Sequence, residues 1–388
     1  MKKITNIITV EIIKKIGKEK TPEGFDQLQS LYNQRHTFSS EIRREIISSI
    51  GRYKDNDKVL FFIEQHAFDE KNIMDEVYQF FRTAIYKSAD PRFQNLRDKL
   101  LKYYDNEVLH NMLRYKSYDK KEFKKQHPLN KVTPLILEGN NTETLKTIPD
   151  QSVQLIFTSP PYYNAREYSI YKSYQQYLDL MYKSLVECYR VLENGRFIIY
   201  NVSPVITKRP GREFSSHRYP IHFDFHNILT KAGFTFIDEI IWIKPEAAVS
   251  NRNGGMQQTR SPLMYKPNTI TESILVYRKD VGFLLDENIK KHGQFKKIPL
   301  DYKLDTSNCW YIHPSSNPLH PAVFPEELCE KIIQYYSFED DVVLDHFAGS
   351  GTFGKVALRM KRKPIMCEQN EDYIKKLKHL LVHKIEIF

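Results

Sequence analysis

The segment from 157 to 163, with the sequence FTSPPYY, combines several groups that could act on a nitrogen atom, and it follows an apolar run, Val153–Phe157. Adjacent prolines fix φ and remove two N–H donors, so the Pro160 carbonyl becomes a rigid acceptor. The Ser159 hydroxyl is a second acceptor, and Tyr162 adds a flat aromatic face. Together they are complementary to an exocyclic amino group on a flat ring, whose nitrogen becomes more nucleophilic when its N–H groups are hydrogen-bonded. A stiff turn with a core aromatic is the structural alternative.

A second segment, 342–352 (VVLDHFAGSGT), has the composition of a ligand-binding turn. An apolar run leads into Gly349 and Gly351, with Gly354 soon after, and three of only 14 glycines lie in these six positions. Glycine allows positive φ and close approach of the backbone to a ligand. Glu368 ends another apolar run some 20 residues later, where a carboxylate can accept hydrogen bonds from both hydroxyls of a ribose. A bound nucleotide-like group is therefore expected here.

The elements around these segments predict an α/β domain. Apolar runs that are too continuous for one-sided burial favour a sheet covered by helices on both faces. The predicted strands are 135–137, 153–157, 196–200, 237–243, 273–276, 342–344 and the run that ends at Glu368. The predicted helices are 174–191, 223–232, 325–336 and 354–360.

The first third of the chain has a different texture. Residues 1–130 hold only 3 of the 14 glycines and 3 of the 19 prolines, which favours long helices. Apolar residues recur at helical spacing in 58–65, 71–88 and 91–104, which predicts a stacked helical bundle of HEAT type, although no strict repeat is present. A polar segment, 119–128, then ends in Pro128 and predicts a boundary between a helical domain, 1–128, and an α/β domain, 129–388.

Composition and charge narrow the class of protein. The chain has 388 residues and a net charge of +10, which suits a polyanionic partner such as nucleic acid, although a merely basic protein is the alternative. No apolar run approaches the ~20 residues of a membrane span, and no cleavable signal follows Met1. The four scattered cysteines form no CxxC pair, so neither a disulfide framework nor a zinc site is expected. A cytoplasmic protein is predicted.

The order of the two motifs, S-P-P-Y before D-x-F-A-G-S-G-T, resembles the DNA amino-methyltransferases in their β arrangement. These enzymes methylate N4 of cytosine or N6 of adenine with S-adenosyl-L-methionine. The segments 320–328 (HPAVFPEEL) and 242–245 (WIKP) resemble further motifs of that family, and the similarity extends over about 133–380. Residues 1–130 have no counterpart in it.

The resemblance implies a Rossmann-like methyltransferase sheet and a set of site residues. The catalytic loop would be Ser159, Pro160, Pro161 and Tyr162. The residues expected to bind S-adenosyl-L-methionine are Asp345, Phe347, Gly349, Ser350, Gly351, Thr352, Glu368, His320, Phe324 and Pro325. The target base would be flipped out of duplex DNA and stacked on Tyr162, and no metal is implied.

Several alternatives remain open on the sequence. Methylation at C5 of cytosine is not among them, because it needs a Pro-Cys nucleophile and none of the four cysteines follows a proline. Serine in the first position of S-P-P-Y is more usual in cytosine-N4 enzymes, so cytosine N4 is favoured and adenine N6 is the alternative. Less favoured alternatives are an RNA amino-methyltransferase and a catalytically silent DNA-binding relative.

Recognition of a DNA sequence is expected in two inserts, near 244–268 and 280–308. The first carries Lys244, Arg252, Arg260 and Lys266, and arginine side chains suit guanine edges while lysines suit phosphates. Double-stranded DNA is thus the expected partner. A restriction endonuclease, if one exists, would be a separate chain, and the sequence does not indicate an oligomeric state. The helical domain, whose net charge is +6, is predicted to clamp the DNA backbone, and a structural cap or a protein-docking module is the alternative.

Overall fold

A computed structural model describes residues 8–113, 135–164, 171–206, 217–249, 263, 265, 267–280, 285, 288–289, 305–315 and 324–385. The chain divides into two compact units, Met1–Ser117 and Tyr118–Phe388. The polar segment 119–128 lies outside the described residues, so the expected domain boundary at 128 stays a prediction. None of the described helices is long and apolar enough to cross a membrane.

The first unit is helical over all its described elements, which confirms the prediction for this third of the chain. Its helices are α1 (Val10–Glu19), α2 (Pro22–Asn33), α3 (Ser40–Gly51), α4 (Asn56–His66), α5 (Met74–Tyr86), α6 (Pro91–Tyr104) and α7 (Glu107–Leu113). Most begin at a polar residue whose side chain accepts a hydrogen bond from a first-turn N–H, as the sequence allows. These capping residues are Thr9, Thr21, Ser39, Asp55 and Asp90.

The helices of this unit pack around one apolar core. α3 contacts α1, α2 and α5, and α5 contacts α6. Phe62, Phe80 and Tyr32 are fully buried between them. The buried Glu76 carboxylate accepts hydrogen bonds from the Tyr32 hydroxyl at 3.0 Å and from Arg43 Nη1 at 3.1 Å, so this charge is paired inside the core. The likeness to HEAT repeats stays a prediction.

The second unit contains an eight-stranded sheet. Its strands and those of a small hairpin are β1 (Leu135–Glu138), β2 (Val153–Thr158), β3 (Leu192–Val202), β4 (Val205–Ile206), β5 (Arg218–Tyr219), β6 (Thr235–Ile243), β7 (Thr271–Arg278), β8 (Cys309–Tyr311), β9 (Val342–Asp345) and β10 (Lys363–Glu368). The sheet order is β1-β10-β9-β2-β3-β7-β6-β8, while β4 pairs with β5. The first five strands in this order, β1, β10, β9, β2 and β3, run parallel to one another. β7 runs antiparallel to both β3 and β6, and β8 runs parallel to β6.

Helices cover both faces of this sheet, which confirms the predicted α/β architecture. They are α8 (Asn141–Thr144), α9 (Tyr174–Val191), α10 (Ile221–Lys231), α11 (Glu326–Tyr336), α12 (Thr352–Arg359) and α13 (Glu371–Ile385). α9 and α10 bury their apolar residues against one face, and α11 and α12 bury theirs against the other. Strand β2 is buried along its whole length, as a strand between two helical layers must be.

Several elements differ from those predicted. Strands β4, β5 and β8 and helices α8 and α13 are absent from the prediction, and many other strand and helix ends lie a few residues from their predicted positions. β8 has only three residues and pairs with β6 alone, and so short an edge strand leaves no periodic signal. β3 starts four residues before the predicted position, because Glu193 is buried through a hydrogen bond from Gln154 Nε2 at 2.8 Å. Helix α12 begins at Thr352 rather than Gly354, because Gly351 takes a left-handed conformation (φ 82°) and serves as its N-cap.

Candidate active site

The two motif segments lie side by side at the carboxyl end of the sheet. β2 and β9 are adjacent parallel strands, and the chain leaves them in opposite directions. From β2 it passes through α9 to β3, and from β9 through α12 to β10. Such a reversal opens a crevice outside the strand ends, where α/β sheets bind their ligands.

A cavity of about 860 Å³ occupies this crevice. One part of its wall, which we call the proline side, comprises Ser159, Pro160, Pro161, Tyr162, Asn201, Trp242, Lys244 and Glu272. A second part, the glycine side, comprises Asp345, His346, Phe347, Ala348, Gly349, Ser350, Thr352 and Glu368. The volume falls in the range of small-molecule and cofactor sites.

On the glycine side, the Glu368 carboxylate is fixed by the backbone. Its Oε2 accepts a hydrogen bond from the Gly349 N–H at 2.7 Å, and its Oε1 accepts from the N–H groups of Gln369 and Asn370 at 2.9 and 2.8 Å. Since a carboxylate can accept about four hydrogen bonds, these three leave acceptor capacity at Oε2. The carboxylate is therefore held ready for a hydroxyl donor in the cavity.

Two glycines of the motif serve helix packing. A Cβ on Gly351 would lie 2.3 Å from Leu377 Cδ2, and a Cβ on Gly354 would lie 2.2 Å from Met366 Sδ. Gly351 does not line the cavity, whereas Gly349, with φ 51°, does. The absence of side chains at 351 and 354 thus lets α12 approach β10 and α13. Of the three motif glycines, Gly349 is the one that presents bare backbone to a ligand in the cavity.

Asp345, the last residue of β9, joins the two motif strands. Its Oδ1 accepts hydrogen bonds from the Thr158 hydroxyl at 2.6 Å and from the Phe347 N–H at 3.1 Å. Burial nevertheless disfavours the charged form and raises the pKa of Asp345 to about 7. The contact holds the end of β2, and therefore Ser159, beside the glycine side.

His346 was not singled out from the sequence, yet it lies at the centre of this junction. Its ring contacts the Tyr200 hydroxyl at 2.6 Å, and its backbone carbonyl accepts a hydrogen bond from Asn141 Nδ2 at 3.0 Å. Complete burial lowers the pKa of His346 to about 3, so the ring is neutral near pH 7. Its contacts with β3 and α8 make it a positioning residue for the strand end.

The proline side carries a chain of polar groups. The Tyr162 hydroxyl donates to Glu272 Oε2 at 3.3 Å, and the same oxygen accepts from Asn201 Nδ2 at 2.5 Å. Lys244 forms an ion pair with Glu272 Oε1. Burial, reinforced by the Glu272 charge, raises the pKa of Tyr162 well above its usual value, so its hydroxyl stays protonated. Tyr162 can therefore act as a neutral aromatic wall.

The structure brings most of the predicted site residues into one cavity. Those that line it are Ser159, Pro160, Pro161, Tyr162, Lys244, Phe324, Asp345, Phe347, Gly349, Ser350, Thr352 and Glu368. Phe324 also stacks on Phe157, with ring centroids 4.7 Å apart. Pro325 is buried at the start of α11, and neither it nor Gly351 lines the cavity. His320, Arg252, Arg260 and Lys266 lie outside the described residues, as does most of both predicted inserts.

Lys244 lies in a different environment from the one expected. The structure places its ammonium in the cavity wall, in an ion pair with Glu272, and its predicted contact with DNA stays a prediction. Asn201 and Glu272 were missed in the sequence, because Asn201 lies one residue before the end of β3 and Glu272 one residue after the start of β7, and both strands have an ordinary composition. Only the pairing of β3 with β7 brings them together.

Among the residues that the structure describes, no three His, Cys, Asp or Glu side chains lie close enough together to bind a metal ion. Three of the four cysteines, Cys188, Cys329 and Cys367, are buried. Burial raises the pKa of each of these thiols, so none is an activated nucleophile.

Comparison of the sequence with known proteins identifies DNA methyltransferases as its relatives. The family model for DNA methylases of the N6/N4 methyltransferase type matches residues 153–379. The type II beta methyltransferase M.BslI of Bacillus sp. (strain NEB-606) is 28% identical over 250 residues, which are 62% of this chain and 26% of that protein. The DNA adenine methyltransferase YhdJ of Escherichia coli K12 is 29% identical over 259 residues, 62% of this chain and 80% of that protein. The chain thus spans about a quarter of the length of the first of these relatives.

A solved structure carries the same fold with the cofactor. It is a protein of Thermus thermophilus, assigned as a DNA modification methylase and complexed with S-adenosyl-L-methionine. It is 27% identical, has a TM-score of 0.50, and covers 66% of this chain and 96% of that one. The glycine side suits this cofactor, since Glu368 keeps an acceptor for a ribose hydroxyl and Gly349 exposes backbone beside it. The chain belongs to the N6/N4 DNA methylase family, whose methyl donor is S-adenosyl-L-methionine.

Proposed function

We propose that the protein methylates the exocyclic amino group of a base flipped out of double-stranded DNA, with N4 of cytosine as the target. The observation that carries this proposal is that Ser159 and Pro160 share one cavity with Gly349 and Glu368. An acceptor pair for an amino group and a site for the methyl donor are thereby held at adjacent strand ends. S-adenosyl-L-methionine supplies an electrophilic methyl group when bound.

The residues of the proline side position and polarise the base. The Ser159 hydroxyl and the Pro160 carbonyl accept hydrogen bonds from the amino group, which leaves its nitrogen lone pair less conjugated with the ring. Tyr162 offers the aromatic face on which a flipped base stacks. Catalysis then consists of orientation and electrostatic preorganisation, and it needs no covalent enzyme intermediate.

The choice of cytosine rests on Ser159. A serine in this position is more usual in the cytosine-N4 members of the family. Adenine N6 is the second candidate, because a relative of 29% identity, YhdJ, is a DNA adenine methyltransferase.

Duplex DNA is the proposed partner, and its contacts are divided among several regions. Arg252, Arg260 and Lys266 in the insert near 244–268, together with the insert near 280–308, are proposed to read the DNA sequence. The N-terminal helical unit, with its net positive charge, is proposed to contact phosphates, which position the enzyme without specifying sequence. A partner endonuclease, if present, is a separate chain, and cytoplasmic location follows from the DNA substrate.

The proposal is tested by methylation-sensitive sequencing of DNA from cells that express the protein. We expect N4-methylcytosine at one recurrent sequence, and its absence in cells that express Ser159→Ala. DNA with the same modification pattern in both cultures would overturn the proposal.

A further inference from the structure

Four neighbouring strands each place a polar side chain at the same end and on the same face of the sheet. In order across the sheet, these are Ser159 after β2, Asn201 in β3, Glu272 in β7 and Lys244 after β6. Thr158 pairs with Tyr200, so Ser159 and Asn201 follow at equivalent positions on adjacent strands. Since side chains alternate between faces along a strand, the four share the face that carries α11.

Glu272 holds two of these side chains in place. Its Oε2 accepts from Asn201 Nδ2 at 2.5 Å, and its Oε1 forms the ion pair with Lys244. The side chains of Lys244 and Glu272 are only 17% and 13% exposed, so the pair is largely removed from solvent. Because both of its oxygens are engaged, the Glu272 carboxylate holds Asn201 and Lys244 in fixed positions. These two side chains then present hydrogen-bonding groups to the cavity.

Asn201 presents an unsatisfied acceptor. The residue is 2% exposed and lines the cavity, and its Oδ1 has no hydrogen-bond partner among the described residues. The amide orientation is fixed chemically, because an ion-paired carboxylate can only accept and Nδ2 must therefore face Glu272. A buried acceptor without a partner is costly, so this oxygen calls for a donor on a ligand.

Lys244 presents hydrogen-bond donors to the cavity, whereas Asn201 presents an acceptor. Its ammonium group lies over the Trp242 ring, with Nζ 4.8 Å from the ring centroid. An ammonium group has three donors, and the ion pair with Glu272 leaves donors that can meet an acceptor in the cavity. The cavity wall therefore offers an acceptor at Asn201 and a charged donor at Lys244, in that order away from Ser159.

We propose that Asn201 and Lys244 read the edge of the target base and select cytosine. This inference rests on the proposed function and specifies its substrate. The Asn201 Oδ1 and the Ser159 hydroxyl share one N–H of the exocyclic amino group in a bifurcated hydrogen bond, while the Pro160 carbonyl accepts the other N–H. Lys244 Nζ donates to the O2 carbonyl at the far end of the cytosine edge. In adenine the position of that carbonyl is a C–H group, which leaves the ammonium donors that Glu272 does not engage without an acceptor in a largely buried site. Sites that hydrogen-bond one substrate reject an analogue lacking the partner group for this reason.

The test compares Lys244→Met with a matched control, Lys331→Met. Lys331 also forms an ion pair with an acid, Asp305, and also lies over a tryptophan, Trp310, but it does not line the cavity. Each variant is assayed on a duplex that contains the methylated site and on the same duplex with a 2-aminopyridine C-nucleoside at the target. That analogue keeps the amino group and ring nitrogen of cytosine and lacks the 2-carbonyl oxygen.

We expect Lys244→Met to lower kcat/KM on cytosine by about 10- to 100-fold, the size of a lost charge-assisted hydrogen bond, and Lys331→Met to behave as the wild type. On the analogue, the wild type and Lys244→Met should transfer methyl groups equally well. A purely structural role for Lys244 would produce the same loss on both substrates, and that result would overturn the inference. Affinity for S-adenosyl-L-methionine, measured by isothermal titration, should be unchanged.

A second variant, Asn201→Leu, removes the acceptor at similar volume. We expect kcat to fall. Affinity for S-adenosyl-L-methionine and the melting temperature of the protein with this cofactor bound should match those of the wild type. An unchanged kcat would remove Asn201 from base recognition. Methylation of adenine by the wild type would overturn the inference and leave amino methylation standing, whereas a wild type that methylates no base of DNA would overturn the proposed function itself.

Discussion

The two sides of the cavity are built by different means. The glycine side comes mostly from one stretch, 345–370, in which backbone N–H groups fix a single carboxylate. The proline side draws on residues from four strands, between Ser159 and Glu272, and its contacts are between side chains. A site made by local backbone suits a ligand common to a whole family. A site made by side chains on separate strands can change one residue at a time, which suits the selection of a substrate.

The largest effect is expected from a change confined to the proline side, Ser159→Ala. Loss of one preorganised hydrogen-bonding group at a reacting atom lowers kcat by about 10²- to 10³-fold. Affinity for S-adenosyl-L-methionine should not change, because the proposed role of Ser159 is to hydrogen-bond the base and not the cofactor. Single-turnover transfer of labelled methyl groups and isothermal titration measure the two quantities, and wild-type turnover in the variant would remove Ser159 from the mechanism.

The converse change, Gly351→Val, should affect the glycine side. The new Cβ would lie 2.3 Å from Leu377 Cδ2, and valine would be forced to φ 82°, at a cost of roughly 1–3 kcal/mol in folding stability from strain alone. The displaced turn carries Gly349, so we expect weaker binding of S-adenosyl-L-methionine as well.

A matched control for this change is Gly233→Val. Gly233 also has a positive φ, 102°, and its Cβ would meet the Tyr189 ring at 3.1 Å, but it does not line the cavity. This variant should lose stability in chemical denaturation and keep its cofactor affinity in titration. Equal cofactor affinities for the two variants would show that the turn at 351 has no special link to the cofactor.

Asp345 and His346, where the two sides meet, should give opposite pH dependences of stability. The pKa of Asp345 is raised from 3.8 to about 7, so its contribution to the free energy of unfolding is lost as pH rises through that interval. The pKa of His346 is lowered from 6.5 to about 3, so its contribution is lost as pH falls through its own interval. The two effects oppose each other between about pH 4 and 6.5.

Single variants separate these contributions in urea unfolding at several pH values. In Asp345→Asn, stability should rise with pH more steeply than in the wild type, by up to about 1.4 kcal/mol per pH unit. In His346→Gln the slope should change in the other direction by a similar amount. Variants whose slopes match the wild type would show that neither group is buried as described.

The smallest effect concerns contacts outside both sides of the cavity. Lys14, Lys15 and Lys18 are exposed on α1 of the basic helical unit. If they contact phosphates, replacing all three with Gln should lower the slope of log affinity against log salt by about 0.9 for each contact. The methylated sequence should stay the same. Fluorescence anisotropy over a salt series measures the slope, and an unchanged slope would exclude this helix from the DNA contact.

The contrast between the two sides also explains what sequence alone can predict. Gly349 and Glu368 belong to short motifs that are contiguous in the sequence, and two adjacent prolines make S-P-P-Y easy to recognise. The glycine turn, the carboxylate and the proline loop could therefore be predicted. Asn201 and Glu272 carry no local signal, since their meeting depends on β3 pairing antiparallel to β7 across some 70 residues of chain. Gly351 illustrates the reverse case, because its motif was visible but its physical role, contact with Leu377, required the packed helices.

The most direct test of the proposed chemistry identifies the modified nucleoside. Purified protein is incubated with duplex DNA and S-adenosyl-L-methionine, and the DNA is digested and analysed by mass spectrometry. The placement of Ser159, Asn201 and Lys244 predicts N4-methylcytosine, which Ser159→Ala should nearly abolish. Accumulation of N6-methyladenine instead would contradict the assignment of the base, and DNA without any methylated amino group would contradict the proposed reaction.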